Sequence, residues 1–226
     1  EIQAINRGHT ITSIVGSAQQ NQLADHLGNC DVAIEFTNPE SALDNILACF
    51  EHGVPVVSGT TGWLKYWETM KTYRELSNGA LLWASNFSIG VNLVFAINEF
   101  TASLLNKYPD YKASIHEIHH IHKLDAPSGT GLSLANQILN INHRYSNWKL
   151  SDEVQASDEL PIEAIREGEV IGYHEVRYSS PIDEIKLIHN AFNRDGFALG
   201  SVIAAEWIQG KSGLFTMKDV LGLNHS

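Results

Sequence analysis

The stretch Glu117-Ile118-His119-His120-Ile121-His122-Lys123-Leu124-Asp125-Ala126-Pro127-Ser128-Gly129-Thr130-Gly131 constrains this chain most. Residues 111–122 alternate in the manner of a strand, and residues 128–139 carry a helical pattern behind a Pro-Ser-Gly turn. Three histidines, a lysine and an acid therefore fall at a strand-to-helix junction. Histidine titrates near neutrality and suits proton transfer. Lysine supplies a compact positive charge. The N–H groups and hydroxyls that open a helix at Ser128, Gly129 and Thr130 make an anion site that fits a carboxylate as well as a phosphate. The stretch reads as a proton donor beside a docking site for an anionic substrate.

The same residues contain His116-Glu117-Ile118-His119-His120, which matches the zinc-protease pattern His-Glu-x-x-His. That pattern needs a helix to set its two histidines on one face. Here Ile115, Ile118 and Ile121 and the following turn favour a strand, and no third ligand stands out. No metal site is expected.

A net charge of −11 disfavours nucleic acid and anionic membranes as partners. An anionic substrate would need a locally basic pocket, which raises the interest of Lys123. No apolar run of 18 residues is present, so no spanning helix is expected. Cys30 and Cys49 do not make a disulfide framework and read as reduced thiols of a cytoplasmic protein.

The first ~85 residues alternate strand and helix, which argues a parallel α/β sheet. Strands are expected at 10–15, 31–36, 54–57 and 80–84. The strand at 54–57 is too apolar for an edge. Asn38 or Thr37 caps a helix that starts at Pro39-Glu40 and stops at Gly53. A more polar helix spans 64–76. Beyond it come a long apolar helix at 91–105, the junction described above, and a polar stretch at 140–160 that reads as a mobile loop. Strands follow at 162–166, 170–179 and 184–191, with a hairpin turn at 180–183, and a helix at 197–208. Strands without intervening helices suggest a mixed or antiparallel sheet. A cleft between two such regions is the default ligand site.

Three further motifs lie at strand ends. Gly59-Thr60-Thr61-Gly62 lets backbone approach a ligand at the carboxyl edge of a parallel sheet. Ala84-Ser85-Asn86-Phe87 offers an amide and a ring to a flat heterocycle, or else forms a hinge. Asn193-Arg194-Asp195-Gly196-Phe197 reads as a helix start capped by Asp195.

Taken together, Glu35-Phe36-Thr37-x-Pro39-Glu40, Gly59–Gly62, Asn86-Phe87-Ser88-x-Gly90-Val91-Asn92, the stretch from Glu117 to Thr130 and Gly213-Leu214-Phe215-Thr216-Met217-x-Asp219-Val220-Leu221 resemble the 4-hydroxy-tetrahydrodipicolinate (dihydrodipicolinate) reductase family. The resemblance implies a Rossmann-like nucleotide domain, residues 1–88 and 195–226, hinged to an α+β substrate-binding domain, residues 89–194, whose mixed sheet forms a homotetramer interface. It implies an NADH- or NADPH-dependent oxidoreductase of the diaminopimelate route of lysine biosynthesis. That enzyme reduces a small cyclic dicarboxylate with loss of water. By carry-over His119 is the acid/base residue and Lys123 the proton donor. His120, Gly129 and Thr130 hold substrate, with Ser128 supporting them. Phe36, Thr37, Gly59, Thr60, Thr61, Ala84, Ser85, Asn86, Phe87, Arg194 and Phe197 face the cofactor.

Two features depart from the family. Its opening strand and glycine-rich phosphate loop are not in this sequence, which starts at Glu1-Ile2-Gln3 inside the helix that should follow them. The native polypeptide is expected to begin about fifteen residues earlier, one strand and loop of a βαβ unit. The segment Ile14-Val15-Gly16-Ser17-Ala18, where an acid would read the ribose of NAD, holds neither acid nor arginine. NADH and NADPH therefore stay undecided. Two other readings remain: a non-catalytic dicarboxylate-binding or regulatory protein on the same fold, and a zinc hydrolase.

Overall fold

A computed structural model describes residues 1–223. In chain order the elements are α1 (Ile2–Asn6), α2 (Leu23–Leu27), β1 (Ala33–Glu35), α3 (Pro39–Glu51), β2 (Val56–Ser58), α4 (Trp67–Ser77), β3 (Ala80–Trp83), α5 (Ile89–Leu105), β4 (Lys112–His119) and α6 (Gly129–Ile141). They continue with β5 (Asn147–Leu150), β6 (Glu159–Arg166), β7 (Gly172–Ser179), β8 (Glu184–Ala191), α7 (Asp195–Ile208), β9 (Gly213–Phe215) and α8 (Met217–Val220). The chain divides into two units: residues 1–89 with 195–226, of which 224–226 lie outside the described residues, and residues 90–194.

The first unit is a parallel sheet in the order β1-β2-β3-β9. Successive strand residues face opposite sides. Val56 and Leu81 therefore pack with Ala42, Ile46 and Phe50 of α3 and Met70 of α4, while Val57 and Leu82 pack with Ala204 and Ile208 of α7. Two cores on one sheet make β2 buried on both faces, as its unbroken apolar run requires. The α3 helix starts where its capping chemistry allows: the Asn38 side chain accepts from the N–H groups of Glu40 and Ser41, and Pro39 occupies the first turn. The α7 helix packs so closely that a Cβ on Gly200 would run into the Phe87 carbonyl.

Residues 10–15 do not form the expected strand. They are β-branched, but a strand is stabilised by a paired neighbour, and β1 ends the sheet without pairing to them.

The second unit is a five-stranded mixed sheet in the order β5-β6-β4-β7-β8, with β7 antiparallel to β4 and β8. The stretch at 140–160 is not the structureless loop its polarity suggested. It contains the end of α6 and the edge strand β5, which pairs in parallel with β6. One face of this sheet is covered by α5 and α6. Ala113 and Ile115 of β4, Leu160 and Ile162 of β6 and Val176 and Tyr178 of β7 meet Leu134, Ala135 and Ile138 of α6 there. Asn98 of α5 is buried in this layer. It donates to the Leu134 carbonyl and Gln137 and accepts from the Tyr178 hydroxyl, so no polar atom of its amide is wasted.

Gly200→Ala should destabilise the first unit by about 1–3 kcal/mol, the usual cost of overpacking. The midpoint of urea unfolding should fall accordingly, and an unchanged midpoint would contradict the packing described.

Candidate active site

Along β4 the buried positions are Ala113, Ile115, Glu117 and His119. The apolar face that meets α6 thus turns polar as the strand nears its end. Glu117 has no exposed surface, and His119 is also buried. Directly across the β4–β7 ladder, Glu117 pairs with His174, which is buried too. Opposed residues of this kind bring their side chains into contact.

The Glu117 carboxylate reaches across to the start of α6. It accepts the Ser128 N–H at 2.9 Å and the Ser128 hydroxyl at 2.5 Å. The same hydroxyl oxygen accepts from the Gly131 N–H at 3.0 Å, which caps the helix, and lies 3.2 Å from His174 Nε2. His119 Nδ1 and His174 Nε2 are 3.7 and 3.8 Å from the carboxylate, and an Arg166 nitrogen is 3.6 Å away. Those distances carry charge interaction but not hydrogen bonds. Arg166 instead braces the segment after the strand by donating to the carbonyls of Lys123 and Asp125.

Lys123 lies beyond the end of β4. Its Nζ donates to Asp125 Oδ1 at 2.7 Å and Oδ2 at 2.9 Å. Burial works against the Asp125 carboxylate, but the Lys123 hydrogen bonds prevail and hold its pKa below the ordinary value. His119 is held below the ordinary imidazole pKa, first by burial. Glu117 opposes that shift, while Lys123 and Arg166 add to it. His120 stands 3.5 Å from an Arg194 nitrogen. Arg194, expected on the cofactor side, thus closes this unit beside a substrate-side candidate. Gly129 and Thr130 form the first turn of α6, at the positive end of its dipole.

The His-Glu-x-x-His residues do not share a face. His116 lies on the opposite side of the sheet from Glu117 and pairs with Glu163 at 2.7 Å. Among the described residues, the cluster able to bring metal-ligand atoms together is Glu117, His119 and His174, with those atoms within 4.8 Å. Both Glu117 oxygens already accept from Ser128, so we read the cluster as a hydrogen-bonded one.

In the first unit the cofactor-side candidates gather at the carboxyl ends of β1, β2 and β3. Glu35 is buried at the end of β1 and accepts from the hydroxyls of Thr37, Ser58 and Thr60. Thr60 Oγ1 in turn accepts the Thr37 N–H at 2.8 Å. Two indoles, Trp63 and Trp83, donate to the Thr60 carbonyl at 2.9 Å each. The Gly59–Gly62 loop is therefore rigid. A Cβ at Gly59 would strike the Phe36 ring, and Gly62 adopts a left-handed φ of 81°. The Phe36 ring is more than half exposed beside this loop and packs against Phe87, centroid to centroid 5.6 Å. Ala84 and Phe87 are buried, Thr61 and Ser85 exposed, Asn86 accepts from the Ser88 N–H, and Phe197 lies in the first turn of α7. A glycine loop, an exposed flat ring and hydroxyls at the carboxyl edge of a parallel sheet suit the nicotinamide side of a dinucleotide.

The profile for "Dihydrodipicolinate reductase, N-terminus" matches residues 3–87, and that for its C-terminus matches residues 90–221. The chain belongs to the dihydrodipicolinate reductase family. A reductase of this family from Christiangramia forsetii, named 4-hydroxy-tetrahydrodipicolinate reductase, is 46% identical over 217 residues, which is 96% of this chain and 89% of the relative. One of the same name from Buchnera aphidicola subsp. Schizaphis graminum is 38% identical, over 84% of this chain and 72% of its own. A solved dihydrodipicolinate reductase from Paenisporosarcina, bound to dipicolinate, has the same fold: TM-score 0.68 at 23% identity, over 82% of this chain and 71% of that one.

Glu117 entered the sequence reading as the start of the dense stretch and through the zinc pattern but not as a site residue, and neither did His174 or Arg166. The available signal was the run of polar residues at inward positions of strands, Glu117, His119 and His174, where an apolar core would be cheaper.

His174 is pushed down to about 3, first by burial and then by His119, His189 and Lys123. The unfolded imidazole titrates near 6.5. Between those values the unfolded chain binds the extra proton. This contribution to stability is full above pH 6.5 and is lost as pH falls toward 3. Unfolding free energy measured across that window should fall less steeply in His174→Gln than in the wild type, and equal slopes would contradict the burial of a neutral ring.

Proposed function

We propose that the end of β4 and the start of α6 form the substrate site of a dicarboxylate reductase, with His119 and Lys123 as its proton-handling groups. The chain reduces 4-hydroxy-tetrahydrodipicolinate to tetrahydrodipicolinate with NADH or NADPH and loss of water, within the diaminopimelate route of lysine biosynthesis. The observation that carries the residue roles is the convergence in one unit of a buried histidine, a lysine held by one acid, and a helix N-terminus fixed by another.

When bound, the reduced nicotinamide supplies the hydride. Phe36, Thr37, Gly59, Thr60, Thr61 and residues 84–87 hold its ring side, supported by the rigid loop around Thr60. Phe197 is a further contact. Lys123 Nζ carries three hydrogens, and two are directed at Asp125. The third is available for a substrate carboxylate or for transfer as the proton that accompanies the hydride. Burial lowers the His119 pKa and so favours its neutral ring. His119 therefore acts as a proton acceptor and relay, and the charged donor is Lys123. Gly129, Thr130 and His120 receive the carboxylates. Arg194, beside His120, adds a cation there.

The homotetramer is formed through the exposed face of the mixed sheet. Support comes from a concavity of about 420 Å³ on that face, lined by His116, Glu163, Tyr173, Glu175 and Arg177 among others. A cytoplasmic location is part of this proposal and is supported by the biosynthetic role; among the described residues no helix is long and apolar enough to cross a membrane. No observation favours the non-catalytic reading.

Oxidation of NADH and NADPH with freshly generated substrate tests this reading. His119→Gln and Lys123→Ala should each lower turnover by roughly 10²- to 10⁴-fold, the usual share of positioned acid–base groups, with the fold intact by circular dichroism. Near-normal turnover in both would overturn the assignment.

A further inference from the structure

We propose that Glu117 is a positioning residue for substrate, acting through Ser128 and His174 to lock the start of α6 against β4. This rests on the reading that the second unit holds the substrate.

Proton accounting carries the argument. The Ser128 oxygen has one hydrogen to give and two lone pairs to fill. Its hydrogen is spent on Glu117 Oε2, at 2.5 Å, and one lone pair accepts the Gly131 N–H. His174 Nε2 faces the remaining lone pair at 3.2 Å, so it must be the protonated ring nitrogen, donating to Ser128. The chain of donors therefore runs His174 Nε2–H to Ser128 Oγ–H to Glu117. It needs a hydrogen on His174 Nε2 and a Glu117 that accepts at both oxygens. His174 Nδ1 is buried with no hydrogen-bond partner, so nothing there would receive a second ring hydrogen, and the ring is neutral with its hydrogen on Nε2.

Two consequences follow. Ser128 has no donor left for a ligand, since its N–H also goes to Glu117. It acts on substrate only by fixing where Gly129 and Thr130 stand. The first turn of α6 is also built around the carboxylate, because a Cβ at Gly131 would strike Glu117 Oε2. A fully buried carboxylate is a costly way to fill a core position. Its retention at the junction of the proton-handling strand end and the anion-receiving helix start is explained by positioning.

Steady-state kinetics on the full chain test this, varying substrate and dinucleotide separately. In Glu117→Gln the side-chain amide presents a donor where Ser128 offers its hydrogen. The substrate KM should rise roughly ten-fold or more and kcat fall, while the dinucleotide KM stays within about two-fold. His174→Gln, which keeps an N–H in reach of Ser128, should retain a near-wild-type substrate KM, and His174→Phe should not. If Glu117→Gln fails to fold, Ser128→Ala carries the same test, because it breaks the lock and leaves the β-strand carboxylate in place. Wild-type kinetics in Glu117→Gln, or equal damage to substrate and dinucleotide parameters in all variants, would overturn the proposal. A wild-type protein that oxidises neither NADH nor NADPH with substrate would instead remove the functional reading on which it rests.

Discussion

The second unit depends on one buried interaction, the Glu117 carboxylate receiving both donors of Ser128. A carboxylate without exposed surface is tolerated only when hydrogen bonds replace its water. Here they come from the positive end of a helix, with Arg166 contributing charge from 3.6 Å. The interaction joins elements 11 residues apart in sequence and ties them to His174, 46 residues beyond Ser128. It makes the strand that ends in His119 and the helix that begins with Gly129 one rigid piece. Lys123 sits on the segment between them, which Arg166 holds by its carbonyls.

The first unit uses the same device. Glu35, buried at the end of β1, receives three hydroxyls, from the turn after β1, the last residue of β2 and the glycine loop. It thereby fixes the turn after β1 against the glycine loop after β2. In each unit a buried carboxylate near the carboxyl end of a strand organises a loop that we propose faces a ligand. The groups proposed to meet the ligands include Gly129 and Thr130 in one unit and Phe36 and Thr61 in the other. Thr37 and Thr60 belong both to the Glu35 network and to the proposed cofactor side, so there the residues that fix the geometry are part of the site they shape.

Much of this was legible in the sequence because the signals were local. The cap at Asn38 with Pro39 behind it marked the start of α3, the apolar run at 54–57 marked a central strand, and the alternation at 111–122 marked β4. The dense stretch from Glu117 to Thr130 announced a site before any fold was known. What stayed hidden was decided by partners distant in the chain. Residues 10–15 have strand chemistry but no paired neighbour. Strand β5 is an edge, half-buried and polar, so its composition resembled a loop. Glu117 was visible as a residue, but its role depends on Ser128 folding back and on the register that sets His174 opposite. Arg194 was expected on the cofactor side from the family resemblance, and no local pattern announced that its guanidinium stands beside His120.

The most direct test of this account is the protonation state of His174 in the folded protein. ¹⁵N-resolved NMR of histidine-labelled protein at neutral pH reports which ring nitrogen carries the proton. The hydrogen-bond chain requires a hydrogen on His174 Nε2, and the buried, unpartnered Nδ1 requires the ring to stay neutral as pH is lowered well past 6.5. A neutral ring protonated at Nδ1 would make Nε2 the acceptor of the Ser128 hydrogen, and the lock between β4 and α6 would not exist as described.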